Sequence, residues 1–333
     1  MKHAIISIFI PHMGCPYKCA FCAQHEISST EHIPTPDEVR NTIEDAFFHI
    51  TVPEERMNTE IAFFGGSFTA IPRDYMISVL SVADEFIGEG KFRGIRISTR
   101  PDCIEGDILD LLKEYGVTAI ELGAQSMDDD VLSANMRGHT SEDVFRASRL
   151  IRSAGFELGL QMMTGLYKAS AETDLRTGRL IAEIHPDTVR IYPTVIIENN
   201  MLGRLYRQGK YIPYPFEDCI RVCAELYGMF INKDIRVIRL GLHAEGSLEK
   251  NMIGGYYHPA LGELIRSEYV RQLIEAELPH VRAAAPGKLM SILTGHKRSN
   301  KICFSDKDVT FLEDDSVPKD HVRINGRLHR ICL

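Results

Sequence analysis

The chain has 333 residues, of which 44% are hydrophobic and 25% are charged, as in a globular protein with a large core. Its formal net charge is -8 at pH 7, so the chain as a whole has no positive field that would attract nucleic acid. No apolar run approaches the roughly 18 residues that span a bilayer, and no signal peptide opens the sequence. We therefore expect a cytoplasmic protein without a membrane partner.

Short apolar runs alternate with longer amphipathic runs, and this pattern predicts strands that alternate with helices. The predicted strands are 4–11, 60–65, 94–99, 118–123, 157–162, 188–192 and 235–240. The predicted helices are 36–50, with Thr35 as its cap, 73–87, 106–115, 141–154, 171–184 and 215–232. The alternation predicts parallel strands joined by right-handed helical crossovers, in a barrel or in an open doubly wound sheet. In both folds, ligands bind at the loops that follow the carboxyl ends of the strands.

Three cysteines, Cys15, Cys19 and Cys22, follow the first predicted strand with the spacing C-x3-C-x2-C. Three thiolates leave one iron of a four-iron cluster open to another ligand. Adding His25 would instead give a zinc site with three cysteines and one histidine. Structural zinc sites usually combine two ligand clusters that lie a dozen or more residues apart, whereas these residues share one loop, so the spacing favours iron and sulfur. Eight cysteines in 333 residues are too few for a disulfide framework.

Polar and glycine-rich stretches follow the other predicted strands. After the second strand, Gly65, Gly66 and Ser67 let the backbone approach a ligand closely, although a tight turn in which Ser67 caps the next helix would have the same sequence. After the third strand, Arg100 can bind a carboxylate with both arms of its guanidinium. The later strand ends carry Gln125, Ser126, Arg137, Gln161 and the stretch 190–194. Because all these loops share one rim, we expect a single small-molecule site there.

The alternation stops after residue 240, which predicts a small C-terminal subdomain over 241–333 beside a main domain over 1–240. The subdomain contains a glycine-rich aromatic stretch, a helix over 261–277, an acidic loop and one terminal strand over 321–333. It also contains a basic run with Lys288, His296, Lys297, Arg298 and Lys301. Most such runs are solvated faces, but contacts to phosphate would make this run a surface for RNA.

Five further cysteines have no role that the sequence assigns: Cys103, Cys219, Cys223, Cys303 and Cys332. Cys219 and Cys223 are four residues apart on a predicted helix and therefore share one face. Buried helical cysteines behave as small hydrophobic residues more often than as metal ligands.

The combined motifs resemble those of radical S-adenosylmethionine (SAM) enzymes, and in particular the radical domain of the Elp3 family, the catalytic subunit of Elongator. The likeness extends over residues 1–240 and rests on the cysteine motif and on the stretches 64–69, 99–102, 123–126, 137–140 and 191–194. It implies a partial (β/α)6 TIM-like barrel in which Cys15, Cys19 and Cys22 bind a [4Fe-4S] cluster. It also implies that SAM chelates the open iron. By the same resemblance Gly65, Gly66 and Ser67 lie at the cofactor, and Gln125, Ser126 and Arg137 match positions that line the cofactor or substrate cavity. From their places at strand ends we also assign Arg100 and Gln161 to the cofactor site.

The sequence departs from the family at two points. Gly65-Gly66-Ser67 stands where the family has a GGE-type motif that holds the methionyl amino group, so a side chain in this position is not expected to do that work. We also expect the acetyltransferase domain and the basic N-terminal extension of Elp3 proteins to be missing here. We therefore do not expect the chain to modify wobble uridine with acetyl-CoA by itself.

The resemblance implies an enzyme that cleaves SAM reductively to a 5′-deoxyadenosyl radical, which abstracts hydrogen from a substrate. The electron would come from an external donor of the flavodoxin or ferredoxin type. The substrate is either a transfer RNA or another RNA, or a small metabolite. The alternative is a noncatalytic iron–sulfur or zinc protein that uses the same fold to bind RNA or a protein partner. Motifs of P-loop, GxSxG and HExxH enzymes are absent from the sequence.

Overall fold

The computed structural model describes residues 4–11, 13–16, 18–22, 32–242 and 250–331. The strands are β1 Ala4–Ile10, β2 Thr59–Gly65, β3 Gly94–Thr99, β4 Val117–Gln125, β5 Glu157–Thr164, β6 Thr188–Pro193, β7 Val195–Ile197, β8 Arg236–Leu240, β9 Met252–Gly255, β10 His280–Ala285, β11 Asp308–Glu313, β12 His321–Ile324 and β13 Arg327–Arg330. The helices are α1 Pro36–His49, α2 Pro53–Arg56, α3 Arg73–Asp84, α4 Gly106–Glu114, α5 Asp129–Ala134, α6 Ser141–Ser153, α7 Ala171–Ile184, α8 Met201–Arg207, α9 Phe216–Ile231, α10 Leu261–Glu275, α11 Met290–Thr294 and α12 Ser299–Cys303. His25 and Cys332 lie outside the described residues.

Seven strands form one sheet in the order β1-β2-β3-β4-β5-β6-β8. The pairs β1–β2, β2–β3, β3–β4 and β6–β8 are parallel. Strand β2 is buried over most of its length, as expected of a parallel strand that is covered on both faces. The predicted α/β class is confirmed, because the seven strands are those that the apolar runs indicated.

Helix caps explain why several helices begin where the sequence predicted. The Thr35 and Thr140 hydroxyls each accept a hydrogen bond from the N–H of the third helical residue, Glu38 or Asp143, whose carboxylate in turn accepts one from the threonine N–H. Such reciprocal caps satisfy N–H groups that have no partner within the helix, and a capping side chain is worth about 1 kcal/mol. No helix in the described ranges is both long and apolar enough to cross a membrane.

A second sheet, in the order β11-β10-β12-β13, corrects one prediction. The segment predicted as a single terminal strand forms two antiparallel strands, β12 and β13. The turn between them is Asn325-Gly326, and both residues have positive φ angles, 47° and 84°. An Asn-Gly pair is the usual two-residue hairpin turn, so this sequence signal was present within the run that was read as one strand.

The fold divides into two compact units. The first unit consists of Met1–Gln161, Ile196–Tyr211 and Ala244–Ile253, and the second of Met162–Val195, Ile212–His243 and Gly254–Leu333. Fully buried apolar side chains of β2 and β3, such as Phe63 and Ile97, form part of the core of the first unit. In the second unit, α9 packs against α10, with the rings of Tyr227 and Tyr269 edge to face at 5.5 Å. The division of the chain at residue 240 stays a prediction.

Candidate active site

The start of the cysteine loop lies directly against the glycine turn that follows β2. A Cβ atom on Gly65 would lie 2.3 Å from the carbonyl oxygen of Ile10, and one on Gly66 would lie 2.1 Å from that of Met13. From the other side, a Cβ atom on Gly14 would lie 2.5 Å from the carbonyl oxygen of Ser67. Only glycine allows two backbones to approach this closely. The two loops are therefore held together by their main chains, and this contact positions Cys15.

Ser67 joins the glycine turn to β3 and does not cap the next turn of helix. Its hydroxyl lies 2.9 Å from that of Thr99 and accepts a hydrogen bond from the Arg100 N–H at 3.3 Å. The 3₁₀ turn that begins after Ser67 has no side-chain cap, so the capping role that the sequence left open for this serine is wrong. The main chain of Ser67 is hydrogen-bonded to the Cys15 thiol. Ser67 thus connects the cysteine loop to two neighbouring strands.

Arg137 donates a hydrogen bond from Nη1 to Cys19 Sγ at 3.2 Å. Its second arm donates from Nη2 to the carbonyl oxygen of Gly123 at 2.6 Å, which fixes the guanidinium in place. Both side chains are buried, with Arg137 6% and Cys19 9% exposed. A charge-assisted hydrogen bond of this kind is stronger than one between neutral groups. The contact places a fixed positive charge against a sulfur that the cysteine motif predicts as a metal ligand.

Arg100 lies beside this contact, but its guanidinium is bound to the protein. It donates from Nε and Nη2 to the two carboxylate oxygens of Asp102, each at 2.9 Å, and it also donates to the carbonyl oxygen of Arg137. The fork that the sequence suggested for a ligand carboxylate thus binds Asp102. Burial raises the pKa of the Cys15 thiol, while the Ser67 main chain and the charges of Arg100 and Arg137 act against this rise.

Gln125 ends β4 with a φ angle of 65°, a left-handed conformation that is uncommon for residues other than glycine. Its amide nitrogen and Arg137 Nη2 converge on Gly123, lying 3.0 Å and 3.3 Å from where a Cβ atom there would be. Gln125 Oε1 and Arg137 Nε are buried and have no hydrogen-bond partner among the residues that the structure describes. One is an acceptor and the other a donor, so together they suit a ligand with both amino or hydroxyl and carboxylate groups.

Ser126 and Gln161 lie in other surroundings. The Ser126 hydroxyl accepts a hydrogen bond from the Asp128 N–H at 3.1 Å and supports the turn that leads into α5. Gln161 donates to Glu121 Oε2 at 2.8 Å and to Ser98 Oγ at 3.3 Å. It therefore belongs to a buried charged cluster, in which Arg96 contacts three carboxylates, those of Glu60, Glu121 and Glu157.

His139 was quoted within a motif by the sequence analysis but was not selected as a site residue. It is 4% exposed, and its Nε2 lies 3.2 Å from the Ala124 carbonyl oxygen. Burial lowers the pKa of His139 to about 4, and the positive charges of Arg137 and Arg100 act in the same direction. The imidazole is therefore neutral near pH 7. The sequence signal that could have selected His139 is its position two residues after Arg137.

The donor set fits an iron–sulfur cluster with SAM. Thiols are soft ligands that suit iron and sulfide, and the two nearby guanidinium groups offset the charge of thiolates. Cys15 and Cys19 are close enough for the charge on Cys19 to raise the pKa of Cys15. Within the described ranges, no three His, Cys, Asp or Glu side chains are grouped closely enough to hold a single metal ion. The assignment of Cys15, Cys19 and Cys22 as ligands thus stays a prediction.

Comparison with protein families defines the class. The model of the radical SAM superfamily matches residues 9–180, and the model of the radical SAM C-terminal domain matches residues 186–271. The chain belongs to the radical SAM superfamily. It is an enzyme of this class, whose cofactors are a [4Fe-4S] cluster and SAM.

Within the superfamily the chain is Elp3-like. The tRNA uridine(34) acetyltransferase of Dehalococcoides mccartyi is 37% identical over 126 residues, which are 37% of this chain and 27% of that protein. Elongator complex protein 3 of Homo sapiens is 32% identical over 191 residues, which are 51% of this chain and 35% of that protein. The matched segments thus span no more than about a third of these curated relatives.

A solved structure of similar fold is the archaeal Elp3 of Methanocaldococcus infernus with an N-terminal deletion. It is 21% identical, and the match covers 82% of this chain and 63% of that chain with a TM-score of 0.62. At this identity the likeness concerns the fold alone. The partial barrel that the sequence predicted is confirmed.

Proposed function

We propose that Cys15, Cys19 and Cys22 bind the cluster and that SAM lies against the glycine turn after β2, to generate a radical that acts on RNA. The proposal has two halves, the binding of cluster and SAM and the action on RNA. The first half rests on the contact from Arg137 to Cys19, which lies beside a turn that only glycine can form. Gly65 and Gly66 would let the main chain of the turn approach the ligand, and Ser67 holds the turn through Thr99. Arg100, bound to Asp102, supplies positive charge and supports the Arg137 main chain.

Two orphaned atoms indicate how SAM would be held. Gln125 Oε1 can accept from an amino or hydroxyl group, and Arg137 Nε can donate to a carboxylate oxygen. Arg137 Nε is fixed before a ligand arrives, because Gly123 and Cys19 already hold the guanidinium. Preorganisation of this kind reduces the cost of ordering side chains when the ligand binds. Ser126 and Gln161 support the surrounding structure in this proposal.

When bound, the cluster would pass one electron from an external flavodoxin- or ferredoxin-type donor to SAM, and the resulting cleavage of the S–C5′ bond to methionine and a 5′-deoxyadenosyl radical would supply the group that takes hydrogen from the substrate. The residues of this chain position the reactants and exclude water. Residues 1–240 would form the radical barrel and residues 241–333 the appended subdomain. Acetyl transfer is not part of the proposal.

RNA is the proposed substrate class for two reasons. The similar proteins bear names that specify tRNA uridine(34) as their target. In addition, the basic run of the second unit contains four cations that form no ion pair within the described residues: Lys288, Lys297, Arg298 and Lys301. His296 is the member of the run that has a carboxylate partner, Glu263 at 3.3 Å. Cations without carboxylate partners are available to phosphates, whose contacts dominate RNA affinity.

Anaerobic reconstitution tests the first half of the proposal. We expect about four irons and four sulfides per chain and 5′-deoxyadenosine after reduction with dithionite in the presence of SAM. Cys19→Ala should lose both, whereas Cys303→Ala should retain both, because Cys303 is exposed and lies in α12, far along the chain from the motif. A colourless zinc protein, or an intact cluster without 5′-deoxyadenosine, would contradict radical chemistry and support a noncatalytic binding protein.

Retention of RNA tests the second half. The anaerobically purified protein should bind a short single-stranded RNA with an affinity that falls as salt rises. It should also form more 5′-deoxyadenosine when its RNA substrate is present. Formation of 5′-deoxyadenosine that responds to a metabolite extract and not to RNA would move the substrate to the small-molecule class.

A further inference from the structure

A cavity of about 470 Å³ lies between α9 and α10, both of which belong to the second unit. Its apolar lining consists of Phe216 and Ile220, one helical turn apart on α9, and of Leu264 on α10. Ile220 is buried, whereas Phe216 and Leu264 are half-buried and so present apolar surface to the cavity. A cavity of this volume is typical of sites for small molecules.

Contacts between the two helices fix the walls of this cavity. A Cβ atom on Gly228 of α9 would lie 2.5 Å from the ring of Tyr269, so the lack of a side chain there lets the ring pack directly against α9. Gln272 of α10 donates a hydrogen bond to the main-chain oxygen of Arg221 at 3.3 Å. The cavity is therefore formed by the protein itself, which reduces the cost of ordering side chains when a ligand binds.

The charged part of the lining is balanced. Two carboxylates, those of Glu217 and Glu268, and two guanidinium groups, those of Arg221 and Arg271, line the cavity. Arg221 is also paired with Asp218. The lining therefore provides no net positive field for a phosphate or a carboxylate. A neutral ligand that carries both donors and acceptors matches these charges better than an anion does.

Glu268 and Arg271 place an acceptor beside a donor. Arg271 Nη2 donates to Glu268 Oε1 at 2.6 Å, and Gln272 donates to the same oxygen at 3.5 Å. The second oxygen, Oε2, has no hydrogen-bond partner within the part of the chain that the structure describes, although the Glu268 side chain is only 11% exposed. This carboxylate can accept from an amino group, and a guanidinium has five N–H donors, so Arg271 can donate to a neighbouring acceptor.

The chemistry of this lining matches a nucleobase. An amino donor beside a ring-nitrogen acceptor is offered by adenine and cytosine and is absent from uracil, and carboxylates accept hydrogen bonds from the cytosine amino group. Unpaired bases also stack on aromatic rings and on guanidinium planes. Phe216 supplies such a ring, and Arg221 supplies a guanidinium on the same helix. A base is planar and uncharged, as the balanced lining requires.

Helix α10 connects the cavity with the basic run. Leu264 lines the cavity, and the preceding residue, Glu263, lies 3.3 Å from His296 of the run. Successive residues of a helix point about 100° apart, so the two contacts lie on neighbouring sides of α10. An RNA whose phosphates contact the basic run thus has a cavity for one of its bases within the same unit.

We propose that this cavity binds an unpaired adenine or cytosine base. RNA as the source of the base rests on the proposed function, whereas binding of the base itself requires neither the cluster nor SAM. The second unit then recognises the identity of a base in addition to the phosphates that the basic run contacts.

Equilibrium dialysis of the full chain with labelled cytidine tests the site. Cytidine should bind at least about tenfold more tightly than ribose, which has no base, and about tenfold more tightly than uridine, which has no amino group. Phe216→Ala should weaken cytidine binding by about tenfold or more, as expected for one lost stacking contact. Phe48→Ala is the control, because that ring is 81% exposed on α1 and does not line the cavity. Equal binding of cytidine and ribose, or unchanged affinity in Phe216→Ala, would overturn the proposal.

Base preference gives a readout that a loss of structure would not produce. Glu268→Gln retains the size of the side chain and one acceptor oxygen but adds N–H donors, so the preference for cytidine over uridine should fall towards equality. Glu275→Gln is the matched control, because Glu275 also lies near Arg271, at 3.9 Å, but does not line the cavity. An unchanged preference in Glu268→Gln would contradict the proposed recognition of the base.

A tryptophan at the cavity keeps the proposal testable if Phe216→Ala fails to fold. The sequence contains no tryptophan, so Phe216→Trp retains an aromatic surface and introduces a single tryptophan fluorophore. Cytidine should quench its emission by stacking, and it should not quench that of Phe48→Trp to the same extent. Absence of quenching in Phe216→Trp, or equal quenching in both variants, would overturn the proposal.

Competition identifies the source of the base. Displacement of labelled cytidine by a short single-stranded RNA of adenines and cytosines indicates a base of RNA, and displacement by cytidine 5′-monophosphate alone indicates a small metabolite. Both results support the cavity as a site for a base. Absence of cytidine binding overturns this site and leaves SAM cleavage unaffected, whereas absence of SAM cleavage in the reconstituted enzyme contradicts the proposed function and leaves cytidine binding unaffected.

Discussion

The two units contain arginine clusters on sheet strands, and the clusters differ in charge balance. In the first unit, Arg96 is 2% exposed and contacts three carboxylates, those of Glu60, Glu121 and Glu157. In the second unit, Arg190 and Arg239 face each other in register and remain partly accessible. The first arrangement surrounds its cation with carboxylates, whereas the second places two cations opposite each other on neighbouring strands. The comparison shows that arginines on the strands of this fold differ both in burial and in the signs of the charges that face them.

The largest expected effect comes from removing the cation of the balanced cluster. Arg96→Met leaves two fully buried carboxylates without their positive partner, and breaking a buried ion pair in this way costs about 3–5 kcal/mol. Urea denaturation of the full chain measures the loss. The control is Arg93→Gln, whose side chain is 44% exposed and 3.4 Å from Glu157, so it should change stability by less than about 1 kcal/mol. An Arg96→Met protein as stable as the parent would show that the cluster is not a unit of stability.

Asp174 extends the comparison to a buried acid that is held by neutral donors. It is 2% exposed and accepts from the Gly165 N–H at 2.7 Å and the Tyr214 hydroxyl at 2.8 Å. Burial raises the pKa of Asp174 from 3.8 to about 7, against the effect of these two hydrogen bonds. The pKa of Asp174 is higher in the folded than in the unfolded protein. Its protonation therefore contributes fully to the free energy of unfolding below about pH 4, and this contribution is lost as the pH rises to about 7.

Asp174→Asn removes this titration and retains an acceptor oxygen for both donors. Denaturation between pH 4 and pH 8 measures the free energy of unfolding of the parent and of this variant. Over this range the parent should lose roughly 2–4 kcal/mol of stability relative to the variant. Most of the change should fall between pH 4 and pH 7. A difference that does not depend on pH would mean that Asp174 is ionised in the folded protein throughout this range.

Arg137 provides an intermediate case, since its guanidinium faces a thiol in place of a carboxylate or a second cation. Hydrogen bonds to ligand sulfurs raise the reduction potential of an iron–sulfur cluster. Arg137→Gln removes such a bond and should therefore lower the potential by tens of millivolts. A change of about 59 mV corresponds to a tenfold change in the equilibrium constant for one-electron reduction. Potentiometric titration followed by EPR measures the shift. Arg137→Lys should recover part of it, and the exposed control Arg146→Gln should have no effect. An unchanged potential in Arg137→Gln would rule out electrostatic tuning through Cys19.

The smallest effect is expected at Lys297, a cation on an exposed turn. Lys297 and Arg298 have φ angles of 52° and 64°, which are unfavourable for residues other than glycine. Lys297→Gly should therefore stabilise the protein by roughly 0.5–1 kcal/mol in thermal denaturation. It should also weaken RNA binding and reduce the salt slope by about 1, as expected for one lost phosphate contact. Unchanged RNA affinity would remove the basic run from the proposed RNA surface.

Elements with strong local signals could be predicted from the sequence. Helix α7 and strand β3 have the predicted bounds, because a cap at Ser170 and a short apolar run define them locally. Pairing between strands has no comparable local signal. The register shift between β6 and β8 and the contacts of Arg96 depend on which residues lie opposite each other, and a single strand does not contain that information.

The same limit applies to the candidate site. Cys15, Cys19 and Ser67 were found because they stand in recognisable spacings, and Arg137 was found through the resemblance. Gln161 was assigned to the cofactor site from its position after β5 began, yet its side chain contacts Glu121, two strand residues before Gly123. The sequence indicated which edge of the sheet carries polar groups, but not how far from that edge each side chain lies along its strand.

The contact between Gly14 and the turn at Gly65-Gly66 has a consequence for assembly of the enzyme. It consists of main-chain atoms alone and needs no metal, so the sheet itself determines where the first cysteine stands. The apoprotein can thus present Cys15 at its final place before iron is delivered. The cluster would then bind to a loop whose first ligand is already in place, because most of the entropy lost in ordering that part of the loop is lost when the protein folds.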